Sequence, residues 1–253
     1  MAWKRKIQAV TNILLLLLPL ACSAFPVDTS LGEPKMLYVS GFGRIYTIYE
    51  GGNSAVYLDT LTERTVTSQL GDAPLVKFVS QDDAIFYFLN ADGILIRTDR
   101  ELAKISSMDI SEIDPISFSI TYFGIFLLTG NRKSIYRLSS GKLSASQLSS
   151  LIPRETEDMD GNMLLIPSEN QIITFDELEM ITGKIHIPES CAPERIKYHP
   201  PWIIIIGDKL CLRRYNSPDW KTITLPEGTK DVDISAGTVF FLLKDRIETS
   251  QIK

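Results

Sequence analysis

The stretch FPVDTSLGEPKMLYVS (Phe25–Ser40) and the stretch RTVTSQLGDAPLVKFVS (Arg64–Ser80) are two copies of one junction. Val27 matches Val66, Leu31 matches Leu70 and Gly32 matches Gly71 at a spacing of 39. After one extra residue, Pro34 matches Pro74 and Val39 matches Val79 at a spacing of 40. The second copy joins the end of one internal unit to the start of the next. The first copy therefore puts the end of a unit near the N-terminus, ahead of any complete unit. A fixed period of this length marks a repeat architecture whose units bury their apolar faces against one another.

Working outward from the junction, six apolar runs recur: RIYTIY at Arg44, AIFYFL at Ala84, GIFLL at Gly124, NMLLI at Asn162, WIIII at Trp202 and TVFFLL at Thr238. Their starts are separated by 40, 40, 38, 40 and 36 residues. Each follows a shorter strand-like segment (MLYVS, LVKFVS, ISFSI, TEDMD, RIKYH, DVDIS) and precedes another, such as AVYLD, GILIRTD or QIITFD. Ile, Val, Phe, Tyr and Thr in runs of about five, divided by Gly, Asn and Asp, read as β-strands. The recurring runs are continuously apolar, as expected of strands covered on both faces. Radially packed four-stranded sheets cover their middle strands in this way, so the pattern predicts an all-β, six-bladed propeller. Fourth strands are visible as RTVTSQ, LAKISS, KLSASQ, TGKIHI and KTITL, but the sixth unit ends at RIETSQIK without one. Pro26 to Ser30 is expected to supply it and to close the ring.

Residues 1–24 are expected to be a signal peptide, with Lys4, Arg5 and Lys6 ahead of the apolar run Ile13 to Leu20. That run is shorter than the roughly 20 residues needed to span a bilayer. Pro19-Leu20-Ala21-Cys22 resembles a bacterial lipobox, although a leucine stands at Leu18, one residue early, and Pro19 takes its place. It implies cleavage before Cys22, acylation of that residue and attachment to the membrane of the cell envelope. The alternative is cleavage before Phe25, which leaves a soluble exported chain. Residues 25–253 then form one propeller.

Without Lys4, Arg5 and Lys6, 23 basic residues face 31 acidic ones, a net charge of −8. That charge argues against nucleic acid as a partner. Cys191 and Cys211 remain, to be paired after export or buried as thiols. With His186 and His199 the only histidines and no C-x-x-C spacing, a zinc site is not expected.

The third-strand ending Val56-Tyr57-Leu58-Asp59-Thr60, echoed by Arg97-Thr98-Asp99 and Thr174-Phe175-Asp176, resembles blades of the quinoprotein-like, YVTN and NHL propellers. The Trp-Asp dipeptide of WD40 repeats is missing. The resemblance implies a ring with a central channel and two loop faces. It implies no activity, because unrelated functions share the fold.

Tyr198, His199, Tyr215 and Trp220, in or beside the turns of the fifth unit, form a candidate binding surface, since aromatic side chains on loops are the common anchors of interfaces. Asp158, Asp160, Asp231 and Asp233 fall on innermost segments, together with Lys77, Arg195 and Lys197. The expected reading is a channel wall of compensating charge; the alternative is a lactonase-like calcium site. No catalytic constellation is expected. The function predicted is that of an exported, non-enzymatic scaffold for other envelope proteins. The alternative is a secreted hydrolase-like propeller with a metal ion in its channel.

Overall fold

The computed structural model describes residues 24–130, 134–153 and 155–252. The leader and Cys22 lie outside the described residues. Among the described residues the strands form six four-stranded antiparallel sheets, arranged as the blades of a propeller. In blade one, strands A to D are Pro34–Val39, Arg44–Tyr49, Ser54–Asp59 and Arg64–Gln69. The A strands of blades two to six are Leu75–Gln81, Pro115–Thr121, Asp158–Asp160, Pro193–His199 and Asp231–Ser235. No described helix is long and apolar enough to cross a membrane.

The ring closes where the repeat predicts. Blade six consists of Asp231–Ser235, Thr238–Leu242 and Arg246–Gln251, and its fourth strand is Phe25–Pro26. Phe25 pairs with Ile247 and Pro26 with Arg246, and the N–H of Val27 donates to the carbonyl of Asp245 at 3.1 Å. This outer strand is shorter than the expected Pro26–Ser30. Asp28 accepts the N–H of Ser30 at 3.0 Å and turns the chain into a short 3-10 helix, Thr29–Leu31. The same device recurs before blade three, where Asp109 accepts the N–H of Ser111 at 3.0 Å.

The core lies between blades rather than within them. One buried cluster sits at each boundary. Tyr46, Ile48 and Tyr57 of blade one meet Phe78, Phe86 and Phe88 of blade two. Leu242 and Ile247 of blade six meet Leu37, Val39 and Ile45 of blade one, with Phe25 and Val27 packed against them. Strands covered on both faces explain why Met163–Ile166 is buried at every position, whereas Arg64–Gln69, a D strand, is largely exposed. Cys191 and Cys211 form a disulfide that ties the connection between blades four and five to strand C of blade five (Leu210–Arg214), with Cα atoms 6.0 Å apart.

Candidate functional site: the channel and its aromatic mouth

Strand A has a strand partner on one side only, so the polar groups on its other edge need partners from elsewhere. Two Asp-x-Asp segments supply them across blade boundaries. Asp158 and Asp160 of blade four accept the N–H groups of Ile196 (3.2 Å) and Tyr198 (2.9 Å) of blade five. Asp231 and Asp233 of blade six accept those of Leu37 and Val39 of blade one, each at 2.7 Å. Acids two residues apart on one strand meet N–H groups two residues apart on the next, because both repeat with the pleat.

Cations complete the wall. Lys77 of blade two donates to Ser117 of blade three (2.8 Å), to Asp158 (2.6 Å) and to the carbonyl of Met159 (2.6 Å) of blade four. Lys197 donates to Asp231 (2.5 Å) and to the carbonyl of Leu37 (2.7 Å). Arg195 reaches the other oxygen of Asp231 at 3.2 Å. Burial alone raises the Asp158 carboxyl, but Lys77 outweighs it and holds that group below the usual carboxylate range. Asp160 is different. Among the described residues it is bonded only to the N–H groups of Tyr198 and Gly161 (2.8 Å), and burial, partly offset by Lys77, pushes its carboxyl up. Among the described residues, no group of three or more His, Cys, Asp and Glu side chains is placed to hold a metal ion.

Two contacts at one end of the channel have no signal in the sequence. His199 Nδ1 lies 3.1 Å from Asp233 Oδ1, and its ring stacks on Tyr38 with centroids 5.2 Å apart and planes 6° from parallel. Tyr38 in turn donates to Asp83 at 2.5 Å, and Asp83 also accepts the N–H of Gly41 at 2.8 Å. Burial lowers the affinity of His199 for a proton, but Asp233 outweighs it and raises the imidazole above its ordinary value. Burial and then the bond to Asp83 push the Tyr38 hydroxyl up. Asp82 and Asp83 both have left-handed backbone (φ 54° and 56°), which short polar side chains in turns tolerate.

A cavity of about 870 Å³ runs along the A strands from Lys35 and Glu194 to this end, where Tyr38, Phe42, Tyr122, Tyr198, His199 and Tyr215 line it. The A–B turns surround it, and the C–D turns lie on the same face of the ring. Tyr198 and Tyr215 sit with ring centroids 5.8 Å apart. Gly161 sets this wall: its φ is +53°, and a Cβ there would come within 2.9 Å of the Tyr198 ring. Tyr198, His199 and Tyr215 are thus brought together. Trp220 is not. It opens strand D of blade five, donates to the carbonyl of His186 at 2.9 Å and lies under Arg213, away from the mouth. Phe42 and Tyr122 were missed in the sequence. The available signal was an aromatic residue inside an A–B turn, where nothing in the blade core requires one.

Fold and site together define a six-bladed β-propeller with a closed ring, a charge-paired channel and one open aromatic mouth. No protein-family model matches the sequence, and no curated protein matches it. Among solved structures, the chain is similar to a catalytically inactive H270A virginiamycin B lyase from Staphylococcus aureus with quinupristin. That likeness has a TM-score of 0.63 at 15% identity and covers 92% of this chain and 88% of that one. A streptogramin B lyase is similar at a TM-score of 0.63 and 12% identity, over 92% and 87% of the two chains. A chain of the mitotic checkpoint complex is similar at 0.62 and 8% identity, over 90% of each. At these identities the likeness is one of fold.

Proposed function

We propose that this chain is an exported propeller that binds another protein of the cell envelope across the face bearing the A–B and C–D turns, as a scaffold and without covalent chemistry. The observation that carries the reading is where the exposed apolar side chains stand. Tyr122 (96% exposed), Phe42 (73%) and Leu178 (71%) occupy turns of that face, as do Leu61 and Met180. Of the other large exposed apolar side chains among the described residues, Leu151 (42%) stands in a connection on the other face, Ile116 (37%) near that end of strand A of blade three and Ile105 (50%) on a D strand. Exposed apolar residues gathered around a concavity are the usual mark of a docking surface. The leader-like sequence and the Cys191–Cys211 disulfide support an address outside the cytoplasm, and the lipobox-like quartet ending at Cys22 supports attachment to the membrane. The test is affinity capture from the native envelope. The wild-type chain retains a defined partner, and a Phe42→Ser, Tyr122→Ser double variant with unchanged thermal stability loses it.

A second reading rests on the His199–Asp233 pair. Asp233 orients the imidazole through Nδ1, and His199 lines the cavity. That is the posture of a general base. Turnover of an ester or lactone by the pure protein, abolished in His199→Gln, would favour it over docking. The calcium-dependent version requires Asp158, Asp160, Asp231 or Asp233 to exchange amide and cation partners for the metal.

A further inference from the structure

We infer that the mouth takes one cationic side chain, an arginine or lysine carried on an exposed loop of the partner protein, between its aromatic walls and the carboxylates of Asp160 and Asp83. The inference rests on the docking reading above and names the chemistry of the group that docks.

Charge gives the first argument. The only charged side chains in the A–B turns (residues 40–43, 82–84, 122–123, 161–162, 200–201 and 236–237) are Asp82 and Asp83. Apart from Lys35, the basic residues that line the cavity are committed: Lys77 to Asp158, Lys197 and Arg195 to Asp231, and His199, when protonated, to Asp233. Lys35 is at the opposite end of strand A of blade one. Among the described carboxylates of the lining, Asp160 and Asp83 are bound by hydrogen-bond donors but by no cation. A carboxylate has about four acceptor sites, so each keeps capacity for an incoming donor. Burial raises the Asp160 carboxyl, as expected of an acid without an ionic partner, and a cation placed beside it removes that penalty.

Aromatic geometry gives the second. The stacked Tyr38–His199 pair and the Tyr198–Tyr215 pair line the same cavity, with Phe42 and Tyr122 at its rim. Phenol faces attract an ammonium or guanidinium group, and their walls cover the aliphatic stem that carries it. A purely apolar anchor would leave both carboxylates without an ionic partner, and an acidic anchor would be repelled.

The decisive experiment titrates the mature exported protein, disulfide intact, with the peptide acetyl-Gly-Gly-Arg-Gly-Gly-amide in a calorimeter. Its citrulline analogue and free arginine serve as comparisons. Saturable binding with a Kd on the order of 1 mM or tighter is expected, in line with one buried anchor. The citrulline peptide binds at least about tenfold more weakly, since it keeps the shape and loses the charge. Asp160→Asn and Tyr198→Leu each weaken the arginine peptide by about tenfold, while Asp72→Asn on the opposite face does not. Equal binding of the citrulline peptide, or an equal loss in Asp72→Asn, overturns the inference. Free arginine binding as tightly as the peptide also overturns it, in favour of a small organic cation. No arginine binding together with a partner still captured through Phe42 and Tyr122 ends this inference and leaves the docking reading standing. Arginine binding without any captured partner does the reverse.

Discussion

The backbone N–H of Leu37 donates to Oδ2 of Asp231 at 2.7 Å, joining residues 194 apart in the chain. This bond crosses the seam between blade six and blade one, where the N-terminal strand joins the last sheet. Asp158 makes the corresponding bond to Ile196 at an ordinary blade boundary. The seam therefore reuses the inner-edge device of the other blades and adds the outer strand Phe25–Pro26.

Asp231 is fully buried with Lys197 and Arg195 against it. Removing one partner of a buried ion pair strands the other charge and costs about 3–5 kcal/mol. Asp231→Asn is predicted to lower stability by that amount in urea melts. Asp160→Asn removes a carboxylate without an ionic partner and should change stability by about 1 kcal/mol or less in either direction. Equal losses in the two variants would refute the assignment of their different roles.

His199 holds its proton more tightly in the fold than in the unfolded chain, because Asp233 faces it. Asp83 lies on the other side and also favours the charged form, whereas Lys197 opposes it. Its contribution to stability is thus complete below the unfolded value of about 6.5 and fades as pH rises through the raised folded value. Thermal melts are expected to fall across that window in the wild type and to flatten in His199→Gln. A wild-type stability that rises with pH there would contradict the pairing.

Asp158 and Asp233 behave oppositely, with folded carboxyls held below the ordinary value. Their stabilisation is present above about pH 4 and lost as pH falls through the depressed folded values. Acid unfolding should consequently begin below pH 4, read by near-ultraviolet circular dichroism.

The Cys191–Cys211 disulfide closes a segment with a sequence separation of 20. Constraining an unfolded loop of that size stabilises by about 3 kcal/mol. Denaturation in urea with and without a phosphine reductant should show a loss of that order. An unchanged midpoint would mean that the bond is not formed.

Calcium gives a further check on the channel. With the four channel acids accepting N–H groups or facing cations, millimolar calcium is expected to leave the melting temperature unchanged. A rise of several degrees would support the hydrolase-like alternative.

The blades were legible because their middle strands are covered on both faces, which leaves an apolar run such as Ile203-Ile204-Ile205-Ile206 in every unit. The Phe25–Pro26 closure was legible because Leu31 and Gly32 repeat Leu70 and Gly71. Its length was not, since the Asp28 turn that ends it is a side-chain contact. Within the site, Tyr198 and His199 are neighbours on one strand, and Tyr215 lies in an adjoining turn of the same blade. His199 and Asp233 belong to different blades and meet only through the packing of their A strands. Lys77 was read as part of a mixed wall, but its reach past Ser117 to Asp158 depends on side-chain length across a whole blade. Trp220 misled because its position beside a turn says nothing of the side to which its ring packs.

The most direct test of the central claim is site-specific photo-cross-linking in the native envelope, with the reactive residue placed at Phe42, at Tyr122 or at Leu151. The account predicts one discrete cross-linked partner from Phe42 and Tyr122 and none from Leu151. Cross-links from Leu151 alone, or equally from all three positions, would contradict it.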